Sequence, residues 1–250
     1  MVAIKSQNEI KSVKAACKIV GRILCELCEA VKPGMSTADV DKIAERRCFE
    51  LGAIPAFKGY HGYPASICIS LNDEVIHGIP SSKRIIKSGD LVSIDFGVMK
   101  DGWFGDAAKT LAVGEFSDEA RKLMEVTAES LNKGIEQCRP GNHLFDIGHA
   151  IQNYVEAFGY GVVREFVGHG IGRALHEEPQ VPNFGAKGKG LELKAGMVLA
   201  IEPMINAGSP KVKILKDGWT AVTEDHSLSA HFEHTVAITP NGPEILTVVD

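Results

Sequence analysis

Two halves of this 250-residue chain are built to one pattern, and the spacing between them constrains the fold more than any other feature. Helical runs stop before Lys32-Pro33-Gly34 and again before Arg139-Pro140-Gly141, an offset of 107 positions. The same offset pairs Asp39 with Asp146, Gly52 with Gly159, Gly89 with Gly196, and Ile94-Asp95 with Ile201-Glu202. So many matches at one spacing mark an internal duplication. Each half reads as helix, helix, strands, which predicts an α+β fold of two pseudo-symmetric halves, about 1–115 and 116–250, within one domain.

Periodicity places the elements. Apolar residues recur at helical spacing from Glu9 to Val31, and Ser36 or Thr37 can cap a second helix running to Glu50 and closed by Gly52. Ala65–Leu71 reads as a strand. In the second half, helices are expected over about 118–138 and 144–158, and strands over 197–204 and 231–238.

Between them, Leu91–Met99 and Trp103–Val113 flank Asp101-Gly102, a strong hairpin signal because a type I′ turn needs positive φ at both central residues. With those two in the turn, Lys100 faces Trp103, Gly97 faces Asp106, and Asp95 shares a face with Asp106 as its diagonal neighbour. Two carboxylates so placed repel one another unless a cation lies between them. Either a bulge turns one to solvent, or the pair belongs to a charged site.

The duplication bears on that choice. Asp95 has its counterpart in Glu202, and Asp106 a looser one in Glu233 of Phe232-Glu233-His234-Thr235. Asp101-Gly102-Trp103 is echoed by Asp217-Gly218-Trp219. A pseudo-two-fold would bring four carboxylates to one cleft, where only cations make the arrangement tolerable. One divalent ion rarely takes four charged ligands, so two bridged ions are expected. His169, flanked by Gly168 and Gly170, is a fifth candidate ligand. A mostly oxygen donor set with one imidazole suits Mn(II), Fe(II) or Co(II). Two such ions acidify a shared water and polarise a carbonyl, which points to metal-assisted hydrolysis with Glu202 accepting the water's proton. His77 and His176 lie near this cleft in sequence, either as surface loop residues or as donors to a scissile amide and its oxyanion.

Composition removes several other classes. A net charge of −5 and the lack of a long basic run argue against a specific nucleic-acid partner. The amino terminus has no apolar signal core and no stretch approaches the length of a transmembrane span, so a cytoplasmic protein is expected. Cys25 and Cys28 have metal-type spacing, but no second Cys/His pair follows at zinc-ribbon distance; the cysteines are expected to be reduced and to pack in the core.

Taken together, Ile94-Asp95, Gly105-Asp106, Gly168-His169-Gly170-Ile171-Gly172-Arg173, His176-Glu177-Glu178-Pro179, Ile201-Glu202-Pro203 and Phe232-Glu233-His234-Thr235 resemble the type I methionine aminopeptidases over nearly the whole chain. The resemblance implies the pita-bread fold, a pseudo-two-fold duplicated, curved antiparallel sheet backed by two pairs of helices. It implies hydrolytic removal of the initiator methionine from nascent proteins whose second residue is small. By position, Asp95 would hold one divalent ion, Asp106 and Glu233 would bridge two, and His169 and Glu202 would complete the other. Glu202, His77 and His176 would be catalytic, both histidines touching substrate. Tyr60, Tyr63, Cys68 and Trp219, with Phe57 at the rim, would form the methionine pocket; Leu175 stands where many relatives carry Phe. The implied cofactors are two divalent cations drawn from Co, Mn, Fe, Zn or Ni. The implied partners are nascent polypeptide N-termini, with the ribosome nearby, and a monomer is expected. Thirty-three residues separate His169 from Glu202 and 31 separate Glu202 from Glu233, too few for the helical insertion of type II relatives. With no long extension before Ile10, the chain resembles the bare bacterial form. The rivals are an Xaa-Pro peptidase of the same fold, which usually carries an added N-terminal domain, and a non-catalytic binding module that has lost its ligands.

Overall fold

Ser6 and Glu9 form a reciprocal capping box at the start of the first helix, in a computed structural model that describes residues 2–249. This helix, α1, spans Gln7–Ala30 and buries Val13, Cys17, Val20, Leu24 and Leu27 along one face. Its partner α2 (Thr37–Glu50) is capped by Ser36 and Asp39 in the same way. In the second half α3 runs over Asp118–Glu136 and α4 over Leu144–Glu156, so the four helices pack as two pairs, α1 on α2 and α3 on α4. The helix ends expected at 138 and 158 fray two residues early, as the chain turns towards the Pro140-Gly141 and Gly159 breaks. No helix among the described residues is long and apolar enough to cross a membrane.

The duplication extends to hydrogen bonds. Isolated bridges join Ser36 to Ile85 and His143 to Glu192, both residues of each pair displaced by the same offset. The Gly34 amide donates to Ile86 and the Gly141 amide to Leu193, again in step. Asp39 accepts the Ser36 amide at 3.1 Å, and Asp146 accepts the His143 amide at 2.7 Å.

Among the described residues every strand pair is antiparallel, and hydrogen bonding divides the expected single surface into four sheets. The hairpin Leu91–Lys100 and Trp103–Ala112 is unbulged and in the expected register: Lys100 faces Trp103, Gly97 faces Asp106 and Asp95 faces Ala108. Asp101 and Gly102 both have positive φ, at 52° and 75°. The strand expected from Ala65 begins only at Cys68, which pairs with Asp95.

The second half departs from the first here. The runs expected as continuous strands over 197–204 and 231–238 are each broken. Val198–Ile201 and Met204–Asn206 lie in different sheets, as do Ser229–His231 and His234–Thr239. Pro203 has no amide to offer a ladder, so pairing stops beside it. Ile201 pairs with His234 where Ile94 pairs with Lys109. Stepping back three residues on each side makes His231, not Glu233, the strict counterpart of Asp106. Glu233 reaches its place through the break at Phe232-Glu233.

A pair of threonine clasps joins the halves and obeys the same relation. Thr110 Oγ1 donates to the His231 carbonyl at 2.8 Å and accepts its amide at 2.9 Å. Thr235 Oγ1 donates to the Asp106 carbonyl at 2.7 Å and accepts its amide at 3.3 Å. Thr110 and Thr235 are themselves counterparts in this register. Each half has its own apolar core, and a third cluster, with Cys17, Phe57, Tyr63, Cys68, Trp103, Leu175 and Val198, lies between them.

Candidate metal centre and active site

A cavity of about 180 Å³ opens at the seam between the halves. Asp95, Asp106, His169, Glu202 and Glu233 line it together with His77 and His176, and so do Phe57, Tyr60, Tyr63, Cys68 and Trp219. All twelve residues singled out in the sequence therefore face one space. His61 and Leu175 complete the wall.

The acidic side follows from the two backbones. Asp95 and Asp106 project from the unbroken hairpin, whereas Glu202 and Glu233 stand at the two strand interruptions, free of ladder constraints. The Glu233 amide donates to the Ala108 carbonyl at 2.9 Å, which ties the second interruption to the first-half strand. His169 lies in the short strand Gly168–Gly170, and both flanking glycines are required by close backbone approach. A Cβ at Gly168 would meet the Ala200 carbonyl oxygen at 2.3 Å, and one at Gly170 would meet the Glu178 carbonyl oxygen at the same distance. His169 Nδ1 lies 2.9 Å from the Gly170 carbonyl. A carbonyl only accepts, so Nδ1 carries the proton and the Nε2 lone pair faces the acids, 3.6 Å from Glu202 Oε1 and 3.9 Å from Asp106 Oδ2.

Electrostatics mark the cluster as built for cations. No Lys or Arg pairs with the four carboxylates among the described residues; in that set the imidazoles of His169 and His231 come within 4 Å of them. Asp95 Oδ1, Asp106 Oδ1 and Glu233 Oε1 are buried without a hydrogen-bond partner. Burial raises the Asp95 pKa to about 7. Burial first, and neighbouring carboxylates second, push Asp106, Glu202 and Glu233 well above the carboxylate range. Burial also lowers His169 to about 3, keeping its imidazole neutral and its lone pair available. Donor atoms of Asp106, His169 and Glu233 all lie within 4.8 Å of one another, close enough to share an ion. Orphaned acceptors, hard oxygen donors and one oriented imidazole fit divalent cations.

The opposite wall is apolar and sulfur-bearing. Cys68 is 5% exposed and Tyr63 3%, its hydroxyl 3.1 Å from the carbonyls of Ile67 and Gly78. Trp219 stands edge-on to Tyr63 at 5.1 Å between ring centroids, and the buried Phe57 and Leu175 line the same cavity. Because Cys68 pairs with Asp95 across the strands, this pocket begins one residue from the acids. The two histidines sit between the walls. His176 accepts or shares a proton with Tyr60 Oη at 2.9 Å and stacks edge-on to His169 at 4.3 Å. His77, in left-handed backbone, has its pKa lowered to about 4 by burial, with His176 adding to it. Desolvation lowers His176 as well, and His61 contributes. Both rings are thus neutral hydrogen-bond partners at neutral pH.

One buried group escaped the sequence reading. His231 is 1% exposed, its Nε2 has no hydrogen-bond partner, and it stands 3.7 Å from Glu202 Oε2. A strict cross-strand register would have found it, since His231 answers to Asp106. The looser pairing with Glu233 concealed it.

Comparison with known proteins agrees with this geometry. The sequence model of metallopeptidase family M24 matches residues 11–240. The methionine aminopeptidase of Clostridium acetobutylicum is 56% identical, and the match covers all of both chains. Among solved structures, methionine aminopeptidase from Thermotoga maritima superposes with a TM-score of 0.98 at 47% identity, covering both chains fully. The prolidase from Pyrococcus furiosus shares the fold at a TM-score of 0.80 and 26% identity, but this chain spans only 66% of its length. The fold, the acidic cluster and full-length identity lead to one assignment: this chain belongs to metallopeptidase family M24 and, within it, to the methionine aminopeptidases.

Proposed function

We propose that this protein hydrolyses the first peptide bond of polypeptides that begin with methionine followed by a small residue. The observation that carries the reading is the direct contact of the acidic cluster with a buried pocket of thiol and aromatic groups, all in one cavity. A methionine side chain suits such a pocket through S–aromatic contact and apolar burial.

Asp95, Asp106, His169, Glu202 and Glu233 would hold two divalent cations, Asp106 and Glu233 between them. When bound, the cations offset the carboxylate charge, acidify a water and polarise the scissile carbonyl. The remaining work belongs to side chains. Phe57, Tyr60, Tyr63, Cys68 and Trp219 seat the methionine side chain and exclude water. Glu202, at the edge of the cluster, accepts the proton of the attacking water on a carboxylate oxygen and passes it to the leaving amine. His176 and His77, neutral and both lining the cavity, hydrogen-bond the scissile carbonyl oxygen and amide and stabilise the tetrahedral oxyanion. Leu175 in the pocket wall leaves more room there than an aromatic ring would.

On this reading the whole chain is one catalytic domain working as a cytoplasmic monomer on nascent chains near the ribosome, with Mn(II), Fe(II) or Co(II) favoured by the donor set. The test is a panel of Met-X-Ser peptides, with Ala-Ala-Ser and an Xaa-Pro dipeptide as controls. Protein stripped by chelator would be reloaded with each metal in turn. Cleavage of Met-Ala-Ser only after reloading supports the proposal. Preference for the Xaa-Pro dipeptide, or failure with every metal, rejects it.

A further inference from the structure

Behind the two histidines a second groove of about 510 Å³ leads away from the catalytic cavity and shares His77, His169, His176 and Glu202 with it. A substrate whose methionine fills the enclosed pocket must send the rest of its chain out past these same residues. The groove offers that path, since its wall continues through Phe166, edge-on to His77 at 5.6 Å, to Glu165, Glu178 and Gln180. The carboxylates of Glu165 and Glu178 are solvent-exposed, and neither pairs with a basic side chain among the described residues. Among those residues Glu165 accepts only the neighbouring Arg164 amide, at 3.1 Å. Glu177, next to Glu178, is by contrast ion-paired: it binds Lys5 Nζ at 2.8 Å and accepts the amides of Arg173 and Ala174. Arg164, the nearest cation in sequence, is turned onto the Phe184 ring instead. The exit wall therefore carries two free negative charges without a fixed counter-ion.

We propose that this groove guides the substrate beyond its second residue, and that Glu165 and Glu178 favour basic and disfavour acidic side chains at the third and fourth positions. The inference rests on the aminopeptidase reading and names the sequence class that the same site would take fastest. An extended chain advances about 3.3–3.6 Å per residue, so the third and fourth residues fall within side-chain reach of a groove that begins at the scissile bond. The charges are exposed, so each contributes modestly and is screened by salt. Their effect is expected as a difference in kcat/KM among peptides, not as a requirement.

Metal-loaded protein would be assayed with Met-Ala-Lys-Lys, Met-Ala-Ser-Ser and Met-Ala-Glu-Glu peptides of equal length, at low and at high salt. The original chain and a Glu165→Gln, Glu178→Gln double variant would be compared. The expected ratio of kcat/KM between the lysine and glutamate peptides is about five- to ten-fold, the scale of two exposed ion pairs. It should fall towards unity in the double variant and at high salt. Using a ratio makes the outcome independent of how much of the variant folds. Cleavage of the neutral peptide with no charge ranking, or a ranking that survives in the variant, overturns this inference alone. Failure to cleave any Met-Ala peptide overturns the aminopeptidase reading and this one with it.

Discussion

Each acidic side chain at the seam has one feature in common: its neutral form is favoured until a cation arrives. The folded pKa values of Asp95, Asp106, Glu202 and Glu233 all lie above the unfolded carboxylate values of about 4. Their contribution to stability is therefore intact below about pH 4 and is lost as pH rises through their raised folded values, about 7 for Asp95. Chelator-treated protein should accordingly melt at lower temperature at pH 8 than at pH 5.5 in calorimetry, and added Mn(II) should remove most of that difference. A flat profile would mean the cluster is solvated, not buried. The roles separate by mutation. Asp106→Asn should lose both bound metal and turnover, while His176→Ala should keep its metal and lose about 2–4 kcal/mol of transition-state stabilisation. If both variants lost metal equally, measured by elemental analysis beside kcat, the division of labour would be wrong. His231→Leu should lower kcat through a less constrained Glu202 and His231→Gln should restore part of it, with KM little changed in either. The positions of Asp95 and Asp106 were legible because an Asp-Gly turn sets a period-two register. His231 was not, because the ladder is unpaired at residues 232–233 and nothing in the sequence signals that the register carries on across that break.

Among the elements, the hairpin and the four helices follow from local signals: capping boxes at Ser6 and Ser36, Pro-Gly stops, and unbroken apolar periodicity. The strands of the second half do not. Apolar runs such as Met197–Met204 look continuous in sequence, yet Pro203 ends the ladder and the chain changes sheets. These interruptions place Glu202 and Glu233, so the least predictable backbone carries two of the candidate ligands. The threonine clasps hold that backbone against the hairpin. Thr235→Val removes a buried hydroxyl that both donates to and accepts from the Asp106 backbone. It should cost about 1–3 kcal/mol in denaturant unfolding and weaken metal affinity as Asp106 shifts. Thr110→Val should cost stability on a similar scale but act on His231 instead. Equal metal affinity in all three proteins would show that the clasps only hold the halves together.

The whole molecule is two copies of one plan whose asymmetries are functional. One half supplies the unbroken hairpin and the pocket's Tyr60, Tyr63 and Cys68; the other supplies His169, His176 and the two glutamates at the strand breaks. Neither half contains the site, and duplication at a fixed offset made the convergence legible in the sequence. The depth of the pocket and the course of the exit groove were not legible, because they depend on where the segments 57–68 and 165–180 cross the seam. The central claim is that both halves build one two-ion centre. It is tested most directly by anomalous diffraction from crystals soaked in Mn(II). The account predicts two peaks about 3.5–4 Å apart, ringed by Asp95, Asp106, His169, Glu202 and Glu233. Peaks elsewhere on the surface, with none at this seam, would contradict it.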